Sequence, residues 1–216
     1  MTDAPALLPP PVLSIQKWAT NSHLIADCAR LGYLRKEWRT MDPTYGEGVF
    51  WSVWQPDILI ASDLDPAKSP SGTSVDFRKL PYMDRSFEAV VFDPPYKLNG
   101  TPTEKIDGRY GVAESTRWQD RMTLMREGVR ECARCANDVL LVKCQDQVVS
   151  GRIRWQTLAM IEEVEPLGFG LKDRLDFLSH RAQPKGRRQL NAERCSSQLL
   201  VFKRGWKWSD RGVFDA

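Results

Sequence analysis

The chain has 216 residues, of which 42% are hydrophobic and 27% charged, and its formal net charge is +3. That size suits one α/β domain with a sizeable core, and the near-balanced charge excludes a uniformly basic nucleic-acid coat. No apolar run approaches the ~20 residues needed to cross a bilayer, and no charged start followed by an apolar stretch marks a secretory signal. Five scattered cysteines (Cys28, Cys132, Cys135, Cys144, Cys195) read as reduced thiols of a cytoplasmic protein.

Residues 1–18, with three consecutive prolines, read as an extended tail. The helical spacing of Leu24, Ile25, Cys28 and Leu31 predicts a helix within 21–34, with Asn21 or Ser22 as N-cap and Gly32 as the stop. Strands are expected at 37–41, 57–63 and 87–93. The stripe Met122, Met125, Val129, Cys132, Ala133 and Ala136 predicts an amphipathic helix over 119–136. Cys132 and Cys135 have metal-ligand spacing, but only two histidines accompany them (His23 and His180), so they read as core and no metal is expected.

A strand at 138–144, a helix around 153–165 and strands at 171–179 and 197–204 complete the domain, bounded at 19–204. Strands alternating with helices argue a mostly parallel sheet with helices on both faces, and the final pair an antiparallel addition at its edge. In the Trp/basic tail, 205–216, Trp206 and Trp208 either stack on bases or pack the tail down.

The stretch "MDPTYGEGVFW" holds Gly46 and Gly48 after a strand. Trp51 stands where a dinucleotide fingerprint needs its third glycine, and no G-K-[ST] follows, so neither a dinucleotide nor a P-loop triphosphate site is indicated. Asp63 ends the next strand, 63 − 42 = 21 positions after Asp42. An acid there either accepts hydrogen bonds from two ribose hydroxyls or caps the turn in "SDLDP". A nucleoside without a pyrophosphate, such as S-adenosylmethionine, fits the first reading. Further on, "VVFDPPYK" ends a buried strand with two prolines that remove two donors and fix φ, leaving a carboxylate, a freed carbonyl and an aromatic ring at the sheet edge.

Together, "DPTYGEG", "SDLDP", "VDFRKLPYMDRSFEAVVF" and "DPPY" resemble the S-adenosylmethionine-dependent amino-methyltransferases of DNA, which act on adenine N6 or cytosine N4. The resemblance is strong over 36–97, looser to about 204, and is nearest to compact phage-type or orphan methylases. It implies a Rossmann-like methyltransferase fold with a mostly parallel seven-stranded sheet and an antiparallel C-terminal edge strand. It also implies a cytoplasmic setting in a bacterial or phage-infected cell.

By the same resemblance, Asp42, Pro43, Gly46 and Gly48 surround the methionine part of S-adenosylmethionine, Asp63 holds the ribose, and Asp76 with Phe77 contacts the adenine ring. Asp93, Pro94, Pro95 and Tyr96 match the catalytic tetrad. Thr44 and Tyr45 depart from the pattern, standing where the family often has a phenylalanine or cysteine and a small residue. In such enzymes Asp93 and the carbonyl of Pro94 or Pro95, the second by family precedent, accept from the target amino group, and Tyr96 stacks on the base. Methylation of cytosine C5 is excluded, because its cysteine nucleophile usually follows a proline and no Pro-Cys pair occurs.

Two polar segments remain. The loop 97–118 follows the tetrad and reads as a substrate lid. The run 180–194, with Arg181, Lys185, Arg187, Arg188 and Arg194, is either a solvated loop or a phosphate contact. No room remains for a separate recognition domain, so target reading would come from these segments, a second subunit or a partner. RNA is the alternative substrate, and a non-catalytic cofactor- or DNA-binding module the alternative class.

Overall fold

A computed structural model describes residues 10–98, 117–179, 191, 192 and 194–207. Its centre is a seven-stranded sheet. The strands are β1 (Ile15–Gln16), β2 (Arg39–Asp42), β3 (Ile58–Ala61), β4 (Phe87–Phe92), β5 (Ala136–Cys144), β8 (Phe169–Leu178) and β9 (Ser196–Arg204), in the spatial order β1-β8-β9-β5-β4-β2-β3. Every pairing is parallel except those of β9, which runs antiparallel to both β5 and β8. The antiparallel C-terminal strand is therefore present, but it is flanked on both sides. Two-residue β1 takes the edge.

The sheet is covered on both faces because its strands alternate with period two. Val90 and Phe92 of β4, Leu140 and Val142 of β5, and Leu200 and Phe202 of β9 point to one face. There they meet Met125, Val129 and Cys132 of α2 (Trp118–Cys135) and Met160 of α3 (Gln156–Val164). Ala89, Val91, Val139, Leu141, Leu199 and Val201 point the other way, onto Leu24, Ile25 and Cys28 of α1 (Asn21–Arg30) and onto Phe50 and Trp51. Both Cys132 and Cys135 belong to the first core.

Several local expectations shift. The N-cap of α1 is Thr20, not Asn21 or Ser22, and Leu31 lies outside the core at 39% exposure. Gly32 does end the helix, with φ +74°. Residues assigned to the N-terminal tail join the fold, since β1 pairs with β8 and Trp18 is buried against Phe177.

A hairpin, β6 (Gln147–Val149) with β7 (Arg152–Arg154), replaces the expected start of the 153–165 helix. Ser150 and Gly151 turn it with positive φ, so α3 begins only at Gln156. In the C-terminal tail, Trp206 packs its backbone against Gly170, where any Cβ would collide with it. The remaining loop, the basic run through Arg181, Lys185, Arg187 and Arg188, and Trp208 lie outside the described residues, as do most of the residues 97–118.

Candidate active site

Ligands of open parallel sheets bind beyond the C-terminal ends of the strands. Here those ends carry Asp42 after β2, Asp63 after β3 and Asp93 after β4, and all three line one cavity of about 160 Å3. Asp42 is an organiser of the first loop. Its Oδ1 accepts the Thr44 N–H at 2.9 Å and the Thr44 hydroxyl at 3.0 Å, and its Oδ2 accepts the Trp51 indole N–H at 2.8 Å. Burial pushes its carboxyl up to about 6, against the pull of those three hydrogen bonds.

The loop closes through glycine. Gly46 has φ +58°, and its N–H donates to Asp63 Oδ2 at 2.9 Å. Gly48 has φ +67°, and a Cβ there would sit 2.5 Å from the Tyr45 hydroxyl. Asp63 Oδ1 accepts the Asp65 N–H at 2.9 Å. Asp63 thus ties the glycine loop to the turn in "SDLDP", as the turn-capping reading expects, while still facing the cavity.

The DPPY stretch follows from sheet register. Val91 pairs with Leu141 and Phe92 with Val142, so Asp93 comes beside Lys143, on the α1 face of the sheet. Lys143 is fully buried; its amine donates to Asn21 Oδ1 at 2.8 Å and stands 4.9 Å from the centre of the Phe177 ring. Asp93 donates its N–H to the Thr44 hydroxyl at 2.9 Å, which links the first loop to the tetrad. Its Oδ1 is buried without a hydrogen-bond partner among the described residues.

Burial raises the Asp93 carboxyl to about 7, with nearby Lys143 opposing and Asp42 reinforcing the shift. Burial likewise lowers the Lys143 ammonium, which the Asp93 charge opposes.

After Asp93, the Pro94 carbonyl accepts the Tyr96 N–H at 2.7 Å. The Tyr96 carbonyl is gripped by Gln147 and Gln156 side-chain amides, both at 2.6 Å. Tyr96 lines a second cavity of about 430 Å3, together with Gln145, Phe177, Ser179 and Ser197. Asn21 and Val49 line both cavities, so the two are neighbours across the DPPY stretch, with Asp93 in one and Tyr96 in the other.

Among the residues expected to hold a cofactor, Asp42, Gly46 and Asp63 meet in the first cavity, while Pro43 and Gly48 are not among its lining residues. Asp76 and Phe77 are not brought there. Asp76 is bound by Arg78 at 2.7 Å, which holds its carboxyl below the usual range, and Phe77 is a core residue stacked edge-on to Phe92. Sequence reasoning missed Asn21, Lys68 and Lys143 as site residues. Lys143 carried a signal: a lone lysine in the apolar run "DVLLVKC", in phase with the buried positions of its strand.

No protein-family model and no curated protein matches this sequence. Solved structures do match in fold. Magnesium protoporphyrin IX methyltransferase from Synechocystis PCC 6803, with bound SAH, is 12% identical with a TM-score of 0.52, over 85% of this chain and 81% of that one. The same enzyme with bound SAM is 10% identical with a TM-score of 0.51, over 85% and 77%. The [4+2]-cyclase SpnF is 14% identical with a TM-score of 0.50, over 85% and 80%. The chain therefore has the Rossmann-like fold of methyltransferases. A cyclase with the same fold shows that chemistry must be argued from the site.

Proposed function

We propose that this chain transfers a methyl group from S-adenosylmethionine to an exocyclic amino nitrogen, adenine N6 or cytosine N4, of a base in DNA. The observation that carries the reading is Asp93: a half-buried residue whose Oδ1 is buried without a hydrogen-bond partner among the described residues, lining an acidic cavity that neighbours a larger one lined by Tyr96. A buried polar atom left without a partner is costly and calls for an incoming donor.

The cofactor fits the first cavity in charge and in chemistry. Asp42, Glu47, Asp63 and Asp93 line the cavity with one cation among its lining residues, Lys68, itself paired with Asp65 at 3.8 Å, an environment suited to a ligand bearing a sulfonium and an ammonium. Asp63 spends one acceptor site of each oxygen on the loop and keeps others for ribose hydroxyls. When bound, S-adenosylmethionine supplies a methyl group activated by the positive sulfur.

Everything else falls to the chain. An amino nitrogen conjugated with a base ring is a poor nucleophile, and two acceptors on its N–H bonds draw it toward tetrahedral geometry. Asp93 is one. A carbonyl of the proline pair is the other; that of Pro94 retains a lone pair beyond its bond to Tyr96. As the N–C bond forms, Asp93 stabilises the positive charge on nitrogen and accepts the proton it releases, aided by burial that raises its basicity. Tyr96, its backbone clamped by two glutamines, supplies the stacking face for a base taken out of the duplex.

The test is methyl transfer from labelled cofactor to duplex DNA, single-stranded DNA and RNA, followed by nucleoside mass spectrometry. N6-methyladenine or N4-methylcytosine in DNA supports the reading. Methylation of RNA alone would redirect it, and cofactor binding without turnover on any of them would make the chain a binding module.

A further inference from the structure

Most arginines on the α2–α3 side are neutralised by carboxylates. Arg126 and Arg130 share Glu163, Arg134 lies between Glu131 and Asp84, and Arg78 is held by Asp76. The β6–β7 hairpin is different. Arg152 and Arg154 of β7, and Arg194 just before β9, have no carboxylate partner among the described residues, and the Nε atoms of Arg154 and Arg194 are buried without a hydrogen-bond partner there. Arg154 lies 3.8 Å over the Trp118 ring, and Arg194 lies 4.8 Å over Trp155, which is 45% exposed. Stacking fixes each guanidinium plane while leaving its edge N–H groups without an anion.

This cluster is anchored to the active site. Gln147, the first residue of β6, donates to the Tyr96 carbonyl and accepts the Leu98 N–H at 3.1 Å. Gln156, which follows Trp155, donates to the same carbonyl. At the hairpin tip, Asn191 donates to the Gly151 carbonyl at 2.9 Å.

We propose that Arg152, Arg154 and Arg194, with Trp155, form a docking surface for the phosphate backbone of DNA beside the mouth of the Tyr96 cavity. The inference rests on the amino-base reading above and adds the surface that presents the base. Phosphate oxygens match guanidinium groups that lack a carboxylate partner in charge and in fork geometry, and such contacts fix register without reading sequence. A DNA strand lying across the hairpin would run alongside the segment that carries Tyr96.

The experiment compares the full chain with Arg152→Ala/Arg194→Ala and Arg152→Lys/Arg194→Lys variants, with Lys36→Ala at the opposite end of the sheet as the charge control. Fluorescence anisotropy of a labelled DNA duplex is read across a salt series, and cofactor affinity by calorimetry. The alanine pair is expected to weaken DNA binding about tenfold or more at low salt and to flatten the salt dependence by about 0.9 for each arginine that meets a phosphate. The lysine pair should keep most of the slope, Lys36→Ala all of it, and every variant its cofactor affinity. A folded alanine pair with the parental slope overturns the docking surface while leaving the methyltransferase reading intact. A parent that binds cofactor but no DNA overturns both.

Discussion

Along α2 and α3, Arg126, Arg130 and Arg134 each lie against a carboxylate, and Glu163 serves two of them. At the ends of β4 and β5, half-buried Asp93 lies beside buried Lys143, yet Lys143 donates to Asn21 and one Asp93 oxygen has no partner among the described residues. The first region spends its charge on holding helices together. The second keeps charge in reserve, at a cost in stability, and such incomplete satisfaction in a buried polar cluster is where function is expected. The comparison can be broken from either side.

The largest effect should come from Asp93. Asp93→Asn is expected to lower single-turnover methyl transfer by at least ~100- to 1,000-fold, because it removes charge stabilisation and the proton acceptor together. The same change should stabilise the fold. With its carboxyl raised to about 7, the folded chain retains a proton that the unfolded chain has lost from about pH 4 upward, so the stability linked to it disappears as pH rises through 7. Asparagine never loses it. Thermal unfolding at pH 8 should show a gain on the order of 4 kcal/mol, roughly 8–16 °C, with little gain at pH 4. A neutral or destabilising result at pH 8 would end the idea of a charge held in reserve.

Asp63→Ala should weaken cofactor binding about ten- to 150-fold by calorimetry, from the loss of a charge-assisted contact and of the Gly46 anchor. Unchanged affinity in a folded variant would move the ribose contact elsewhere.

Lys143→Met should shift the acidic limb of the pH–rate profile upward. Asp93 would lose its opposing positive neighbour while Asp42 still pushes its carboxyl up. A purely structural lysine would lower the rate at every pH alike. The smallest effect belongs to the saturated region: Glu163→Gln should cost about 1–2 kcal/mol in denaturant unfolding and leave methyl transfer unchanged.

How much could be read from the sequence follows the same division. The period-two runs of β4, β5 and β9 and the stripe on α2 were legible because burial on a fixed face imposes a repeat. Asp63 and Asp93 were legible as acids closing apolar strands. What escaped depends on contacts distant in sequence. Asn21, 122 residues from Lys143, becomes its acceptor only once α1 caps the sheet. Thr44 looked like a departure from a pattern, and its hydroxyl turns out to bridge Asp42 and Asp93. Phe77 was read as a ring contact for the cofactor, whereas an aromatic beside a strand end serves a core equally well. Only its packing on Phe92 decides. The hairpin escaped because its strands are three residues each, too short for any period to register.

The place of β9 bears on how this protein is made. It is the last strand among the described residues, yet it sits between β5 and β8, antiparallel to both. During synthesis the ribosome delivers β2 to β5 in an order that lets each pair with its neighbour, and β8 then emerges with no partner but the short β1. Until residues 196–204 have left the exit tunnel, the facing edges of β5 and β8 keep their backbone N–H and C=O groups unpaired, a state that invites strand exchange or aggregation. Folding is therefore completed by a late insertion. A ribosome stalled before residue 196 should hold a chain that binds chaperones, and one stalled on a C-terminal extension long enough to bring residues 196–204 out of the tunnel should hold a protease-resistant domain.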